Sequence, residues 1–161
     1  MPFSSPYGDC PTATRPVHDI FMDSINQTIK TNPEKKAYIM ADNPDDCLTY
    51  SELKDSAYIV AQFLHNHGFV KQTACTAMAN NHRMFSFFLG VSMQGGTLSG
   101  ASALFTEFEL ERQLVDCKCT AILTDQEHLD KVQRVTKNNK QVKLIIVVDA
   151  DPYSIPEGLC S

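Results

Sequence analysis

Several features that would place the protein in a specialised class are missing from its sequence. No apolar run approaches the ~18 residues that a membrane span needs. Residues 1–6 have neither the basic start nor the apolar core of a signal peptide. The formal net charge is −5, whereas a nucleic-acid binder usually carries a basic face. We therefore expect no membrane span, no nucleic-acid partner and a cytoplasmic location.

The common phosphate-binding, hydrolytic and metal-binding motifs are missing as well. The sequence contains no G-x-G-x-x-G, no G-x₄-G-K-[ST], no G-x-S-x-G and no H-E-x-x-H. Gly90, Gly95, Gly96 and Gly100 have the spacing of a helix stop and a strand bend, which is not that of a phosphate cradle. The chain also does not end in the peroxisomal signal Ser-Lys-Leu.

The cysteines give no sign of a disulfide framework or a metal site. Only Cys117 and Cys119 are close in sequence, and a structural zinc site usually needs C-x₂₋₄-C with a second ligand pair. We interpret the cysteines as buried or incidental thiols in a reducing compartment. The six are Cys10, Cys47, Cys75, Cys117, Cys119 and Cys160.

What is present is an ordinary globular composition, with 43% hydrophobic and 20% charged residues among 161. A chain of this length favours one domain. Residues 1–16 contain four prolines and a glycine and predict an extended arm. The predicted domain covers residues 17–150, and residues 151–161 are expected to form a flexible tail.

The best-defined local signals are two capping boxes. Thr49 with Glu52, and later Thr106 with Glu109, have the spacing at which a threonine and a glutamate satisfy each other's backbone N–H groups at a helix start. Gly68 is suited to the left-handed position after the first of these helices. Apolar residues flank each box and can close a hydrophobic staple: Leu48 with Leu53, and Phe105 with Leu110.

The apolar periodicity predicts alternating helices and strands, which favours an α/β fold with a mainly parallel, doubly wound sheet flanked by helices. A short hairpin precedes the sheet. The predicted helices are 17–29, 50–67, 83–94, 107–116 and 127–138, and the predicted strands are 37–41, 47–49, 73–79, 97–101, 120–124 and 144–148.

Ligands of such sheets bind beyond the carboxyl ends of the strands. There, His82 beside Arg83 is either an anion contact at a helix N-terminus or a solvated loop histidine. Asp125 is predicted to cap the following helix. Gly100 marks a possible close approach of backbone or ligand. These residues do not assemble a nucleophile, base and orienting group. The other strand-end residues are Asn80, Asn81, Ser102 and Asp149.

Taken in order, a series of segments resembles the N-terminal region of the adenylate-forming (AMP-binding) superfamily, in the branch of 4-coumarate–CoA ligase, acyl-CoA synthetase and luciferase. The resemblance covers nearly the whole chain. Two positions depart from the family pattern: Ser102-Ala103 replaces a usual Asn-Pro, and Glu107 replaces a usual proline. The segments are residues 5–8, 48–53, 80–81, 88–91, 95–96, 99–102, 106–110 and 121–125.

The resemblance implies a parent protein that activates a carboxylic acid as an acyl-adenylate and transfers it to CoA, with ATP, Mg²⁺ and CoA as cofactors. The family's phosphate-binding loop, adenine and magnesium segment, ribose-binding aspartate and catalytic lysine lie further along the chain. None matches a segment within residues 1–161, so no catalytic, cofactor-binding or metal-binding residue is assigned here.

Three hypotheses follow. The chain is a truncated, non-catalytic N-terminal portion of such a ligase, or a non-catalytic binding or regulatory module that associates with a full-length relative. The third is an unrelated flavodoxin-like binding domain. A truncated sheet leaves an uncovered strand edge and apolar faces, so we also expect self-association.

Overall fold

A computed structural model describes residues 12–148. The predicted tail and the first eleven residues of the predicted arm lie outside these residues. The helices are α1 (Val17–Thr31), α2 (Tyr50–Asn66), α3 (Arg83–Met93), α4 (Glu107–Asp116) and α5 (Leu129–Thr136). The strands are β1 (Lys36–Ile39), β2 (Cys47–Thr49), β3 (Thr73–Ala77), β4 (Thr97–Ala101), β5 (Cys119–Asp125) and β6 (Leu144–Val148).

Four strands form a parallel sheet in the order β4-β3-β5-β6. Cys75 on the central strand β3 pairs with Ser99 of β4 on one side and with Ile122 of β5 on the other. The strands β1 and β2 form a separate antiparallel hairpin. The predicted parallel α/β architecture with a short hairpin is therefore confirmed.

Both predicted capping boxes are formed. Thr49 Oγ1 accepts the Glu52 N–H at 3.2 Å, and the Glu52 carboxylate accepts the Thr49 N–H at 2.8 Å. Thr106 and Glu109 repeat these bonds at 3.3 and 2.8 Å. Gly68 follows α2 with a φ of 73°, the left-handed conformation that glycine adopts without strain. The staple partners share apolar clusters: Leu48 with Leu53, and Phe105 with Leu110.

Helices cover both faces of the sheet, as expected for a doubly wound fold. We call the face under α4 and α5 the closed face and the face under α2 and α3 the groove face. The closed face packs around Leu110, Leu114, Ile122, Val132 and Val135. The groove face packs around Leu64, Ala74, Phe87, Val91 and Leu123.

The helix α3 is covered on several sides, as its apolar sequence predicts. Phe87 and Val91 pack toward the sheet, while Leu89 belongs to a third cluster shared with α1, α2 and the hairpin. Phe85 of α3 meets Phe21 of α1 edge to face, with ring centroids 5.2 Å apart. The phenylalanines of α3 are therefore core residues that join α1 to the main sheet.

Of the two alternatives for Gly100, the close approach of backbone is not found, because a Cβ built there would meet nothing nearer than Thr76 Oγ1 at 4.0 Å. A close approach of a ligand at Gly100 stays a prediction.

Close approaches occur at two other glycines. A Cβ at Gly96 would lie 2.8 Å from the Gln72 carbonyl oxygen, and a Cβ at Gly90, inside α3, would lie 2.5 Å from Val60 Cγ1. Gly90 thus allows α3 to contact α2 directly. The helix stop lies at Gly95, which has a φ of 66°.

None of the helices in the described part of the chain is both long and apolar enough to cross a bilayer.

Candidate functional site

The carboxyl ends of β3 and β5 lie side by side at the point where the strand order reverses, which is where open α/β sheets bind ligands. Two side chains of β5 join these two ends: the Thr124 hydroxyl donates to the Ala77 carbonyl at 2.8 Å, and the Asp125 carboxylate accepts from just beyond the end of β3. Asp125 Oδ2 accepts the Ala79 N–H at 3.3 Å, and Oδ1 accepts both the His128 N–H at 2.9 Å and His128 Nδ1 at 2.6 Å. The crevice at this reversal point is thus bridged by groups of the chain itself.

These contacts correct the predicted role of Asp125. The helix α5 begins at Leu129, with His128 at its cap position, so Asp125 holds the turn before the helix and does not cap it. Burial alone would raise the pKa of Asp125. The hydrogen bonds from the His128 side chain, from its backbone N–H and from the Ala79 N–H outweigh burial and hold this pKa below its usual range. The carboxylate is therefore already engaged as an acceptor.

At the end of the edge strand β4, Ser102 begins the turn that leads into α4. Its hydroxyl accepts the Leu104 N–H at 3.2 Å. Lys131 of α5 reaches this turn and donates to the carbonyl oxygens of Ala103 at 2.7 Å and Phe105 at 3.0 Å. No sequence motif indicates this role for Lys131, since the contact joins residues 26 to 28 positions apart. Lys131 therefore acts as a structural tie on the closed face.

The histidine at the start of α3 is buried, and the solvated-loop interpretation of His82 is wrong. Only 9% of His82 is exposed, and its Nδ1 has no hydrogen-bond partner within the described residues. Ser86, one turn further along α3, is 3% exposed, and its Oγ is likewise unpartnered there. The i, i+4 spacing puts both side chains on the same side of α3.

Both residues line a cavity of about 440 Å³ on the groove face. We call this cavity the α2–α3 groove. Its walls are mainly apolar and come from α2, α3 and the strands β5 and β6. The apolar lining includes Ile59, Val60, Phe63, Phe87, Leu123 and Ile146, and the polar lining consists of Ser56, His82, Arg83 and Ser86.

The first turn of α3 is partly capped by the residue before His82. Asn81 Oδ1 accepts the Arg83 N–H at 2.8 Å, and the Asn81 carbonyl accepts the Met84 N–H at 3.1 Å. Asn81, one of the strand-end residues named from the sequence, thus forms local hydrogen bonds to the backbone at the start of α3. The spacing of His82 and Ser86 beside the apolar residues of α3 is a signal that the sequence analysis missed, and only tertiary structure shows that both are buried.

The four cysteines that the structure describes are free thiols, and Cys75 and Cys119 are fully buried on adjacent strands of the closed face. A hydrogen bond between these two thiols raises the pKa of Cys119 well above its usual range, and burial acts in the same direction. Between residues 12 and 148, no group of three or more His, Cys, Asp or Glu side chains is placed to hold a metal ion.

The fold and its strand-end crevice define the class as a doubly wound, parallel α/β domain with helices on both faces of the sheet. The particular family follows from comparison with known proteins. The family of AMP-binding enzymes matches residues 25–159, and the chain belongs to this family. The resemblance inferred from the ordered segments is thereby confirmed.

Two curated relatives are, by their names, an acyl-CoA synthetase and a CoA ligase. The chain is 32% identical over 141 residues to acyl-CoA synthetase 7 of Caenorhabditis elegans, which covers 87% of this chain. It is 26% identical over 111 residues to 4-coumarate–CoA ligase 1 of Arabidopsis thaliana, which covers 68% of this chain. The chain spans only 26% and 20% of the lengths of these two relatives.

Solved structures share the fold. A red-emitting luciferase from Phrixothrix hirtus superimposes on 84% of this chain with a TM-score of 0.73 at 19% identity, and the match covers 26% of that luciferase. The anthranilate CoA ligase AuaEII, solved with anthranoyl-AMP, superimposes on 78% of this chain with a TM-score of 0.66 at 22% identity, and the match covers 24% of that ligase.

Proposed function

We propose that residues 1–161 form the N-terminal scaffold of an ATP-dependent acid–thiol ligase and do not catalyse the reaction by themselves. The parent activity is activation of a carboxylic acid as an acyl-adenylate, followed by transfer to CoA, with Mg²⁺ assisting the nucleotide. The observation that carries the proposal is the family match over residues 25–159 of a chain that spans about a quarter of its curated relative.

The charged groups of the described residues support a scaffold role. Displacement at a phosphate depends on cations fixed against the developing negative charge. Lys131 is engaged with two backbone carbonyls, and Arg134 is paired with Glu107 at 2.7 Å. Asp125 and His128 bind each other. These groups stabilise the fold, and the proposal places nucleotide activation in segments outside the described residues.

The test is an assay of the purified 161-residue chain with ATP, Mg²⁺ and a panel of fatty and coumaric acids. We expect no pyrophosphate release above a buffer blank, while a full-length acyl-CoA synthetase in the same assay releases it. Isothermal titration with ATP is expected to show no saturable binding. Pyrophosphate release that depends on the chain, or saturable ATP binding, would contradict the proposal.

A second candidate function is that of a regulatory module that associates with a full-length relative or with itself. The specific observation is the strand β6, which pairs within the described residues only with β5 and carries the uncharged sequence Leu-Ile-Ile-Val-Val. Unprotected apolar edge strands recruit further strands. A cytoplasmic location fits both candidates, because the four described cysteines form no disulfide.

Sedimentation velocity over a range of concentrations tests the second candidate. A module that pairs through β6 is expected to self-associate, or to co-sediment with a full-length relative, and to gain hydrogen-exchange protection at β6 amides as concentration rises. The amides of β3, which has strands on both sides, are the internal control. A monomer at all concentrations that does not bind the relative contradicts the second candidate and the self-association expected of a truncated sheet, but not the absence of catalysis.

A further inference from the structure

The α2–α3 groove combines an apolar body with a small polar end. Its volume of about 440 Å³ is within the ~300–1,000 Å³ typical of small-molecule sites. Most of its lining is aliphatic or aromatic, and the polar side chains gather where α3 begins. This distribution of polar and apolar groups suits a molecule that has one polar head and an apolar body.

The polar end contains two hydrogen-bonding atoms that the described protein leaves unsatisfied. Nδ1 of His82 and Oγ of Ser86 are buried and have no partner there. Leaving a buried polar atom unpaired costs free energy, so such atoms are normally paired with protein, water or ligand. A serine inside a helix often bonds to the carbonyl four residues earlier, but Ser86 does not do so. Both atoms are therefore available to a head group.

The charge around these atoms favours an anion. The N-terminal end of a helix carries a partial positive charge, and the first turn of α3 contains no acidic residue. Arg83 also lines the groove. The lining of the groove includes neither Asp nor Glu, although the whole chain has a net charge of −5. The polar end of the groove is thus locally less acidic than the protein as a whole.

From these observations we propose that the α2–α3 groove binds an anionic amphiphile, with its head at His82 and Ser86 and its apolar body between α2, α3 and the strands β5 and β6. The site is built from residues of this chain and stands independently of the ligase proposal. It is also separate from the crevice at Asp125, which the chain itself bridges.

The experiment uses the complete chain with naphthalene-2-sulfonate as the anionic probe and naphthalene-2-sulfonamide as its neutral counterpart. Titration calorimetry is expected to show saturable binding of one sulfonate per chain, with weaker binding of the sulfonamide. In NMR spectra the His82 ring resonances shift on addition of the sulfonate, whereas those of the exposed His65 do not.

Two serine variants of α3 provide a matched pair. Ser86→Ala removes a hydroxyl from the groove and is expected to weaken binding of the sulfonate about fivefold to tenfold, which corresponds to one hydrogen bond. Ser92→Ala removes a hydroxyl of the same helix that bonds instead to His18 Nδ1 at 3.1 Å, and it leaves the affinity unchanged. Unfolding curves should show that Ser86→Ala is at least as stable as the parent, since it removes an unsatisfied buried group.

A third variant tests the position of the apolar body. Ser56→Phe places a large ring in the groove from α2 and is expected to abolish binding while the circular dichroism spectrum stays unchanged. Equal affinity of the parent and Ser86→Ala would overturn the proposal, as would equal affinity for the sulfonate and the sulfonamide. Absence of saturable binding would also overturn it.

Discussion

The two faces of the sheet carry the same number of helices but differ in how completely these helices cover the strands. On the closed face, Leu110, Leu114 and Val132 are buried to 1% exposure or less, and Lys131 ties α5 to the turn before α4. On the groove face, α2 and α3 contact each other closely through Gly90, yet a cavity remains between them and β6. Two helices that contact each other closely can therefore still leave a cavity between themselves and the sheet.

The position of the contact between α2 and α3 explains why the cavity remains. Gly90 places α3 against Val60 and Ala61 in the second half of α2. The groove opens near the start of α3, where His82 and Ser86 replace the large apolar residues that would fill it. A sheet face with two helices thus provides either a filled core or a binding cavity, depending on a few side chains at one end.

The largest expected effect tests the difference in filling. Leu114→Ala on the closed face leaves a cavity and should lower the free energy of unfolding by about 2–5 kcal/mol. Ile59→Ala in the lining of the groove should change it by less than about 0.5 kcal/mol, because Ile59 is 68% exposed. Urea unfolding measures both. Similar losses for the two variants would show that Ile59 at the groove is packed as tightly as Leu114 on the closed face.

The next effect concerns the helix contact on the groove face. Gly90→Ala places a methyl group against Val60 and should destabilise the protein by about 1–3 kcal/mol through overpacking. Gly100→Ala is the matched control, since its new methyl group meets only Thr76 Oγ1 at 4.0 Å. Thermal unfolding of both variants is the measurement. A stable Gly90→Ala protein would mean that α2 and α3 separate without cost.

The capping boxes allow one chemical change to be compared on both faces. Thr49→Ala at α2 and Thr106→Ala at α4 each remove a hydroxyl that accepts a backbone N–H, and each should cost about 1 kcal/mol. Chemical denaturation tests this prediction. A much larger cost at Thr106 than at Thr49 would show that the start of α4 is also needed for packing on the closed face.

The same boxes predict a dependence on pH. Hydrogen bonds from the Thr49 backbone and side chain lower the pKa of Glu52, and those of Thr106 lower the pKa of Glu109. A lowered folded-state pKa stabilises the fold above the ordinary glutamate value of about 4.3, and this stabilisation is lost as the pH falls through the lowered value. In Thr49→Ala the lost hydroxyl bond to the Glu52 carboxylate depends on pH, whereas the lost bond from the Glu52 N–H does not. The unfolding curves of the parent and of this variant should therefore move closer together in acid without meeting. A constant separation would contradict this.

The smallest expected effect lies between the two faces, at the joined ends of β3 and β5. In His128→Ala the ring that donates to Asp125 is lost while burial remains, so the pKa of Asp125 should rise from below its usual range toward or above that range. Carbon-detected NMR titration of the Asp125 carboxyl group measures this change. An unchanged pKa would mean that the backbone N–H bonds alone hold the carboxylate ionised.

The features that the sequence predicted best depend on residues close together in the chain. The boxes at Thr49 and Thr106 need partners only three residues away, and the alternating apolar segments determine the parallel α/β class. The helix α1 ends two residues later than predicted and α5 is shorter, which is usual for element boundaries.

The features that the sequence did not reveal depend on distant contacts. His82 is buried beside a groove whose other wall comes from β5 and β6, about 40 to 65 positions further along the chain. Gly90 has its role because of Val60 on another helix. Asp125 has the local sequence of a cap, but its bond to the Ala79 N–H on a neighbouring strand end holds it in the preceding turn.

The strand order β4-β3-β5-β6 has a consequence for synthesis of the chain. As the strands emerge in sequence, β4 adds to one side of β3, β5 adds to the other side, and β6 adds beyond β5. Each arriving strand meets an open edge and never has to enter between two strands that are already paired. The sheet can therefore grow on the ribosome strand by strand, without breaking hydrogen bonds formed earlier.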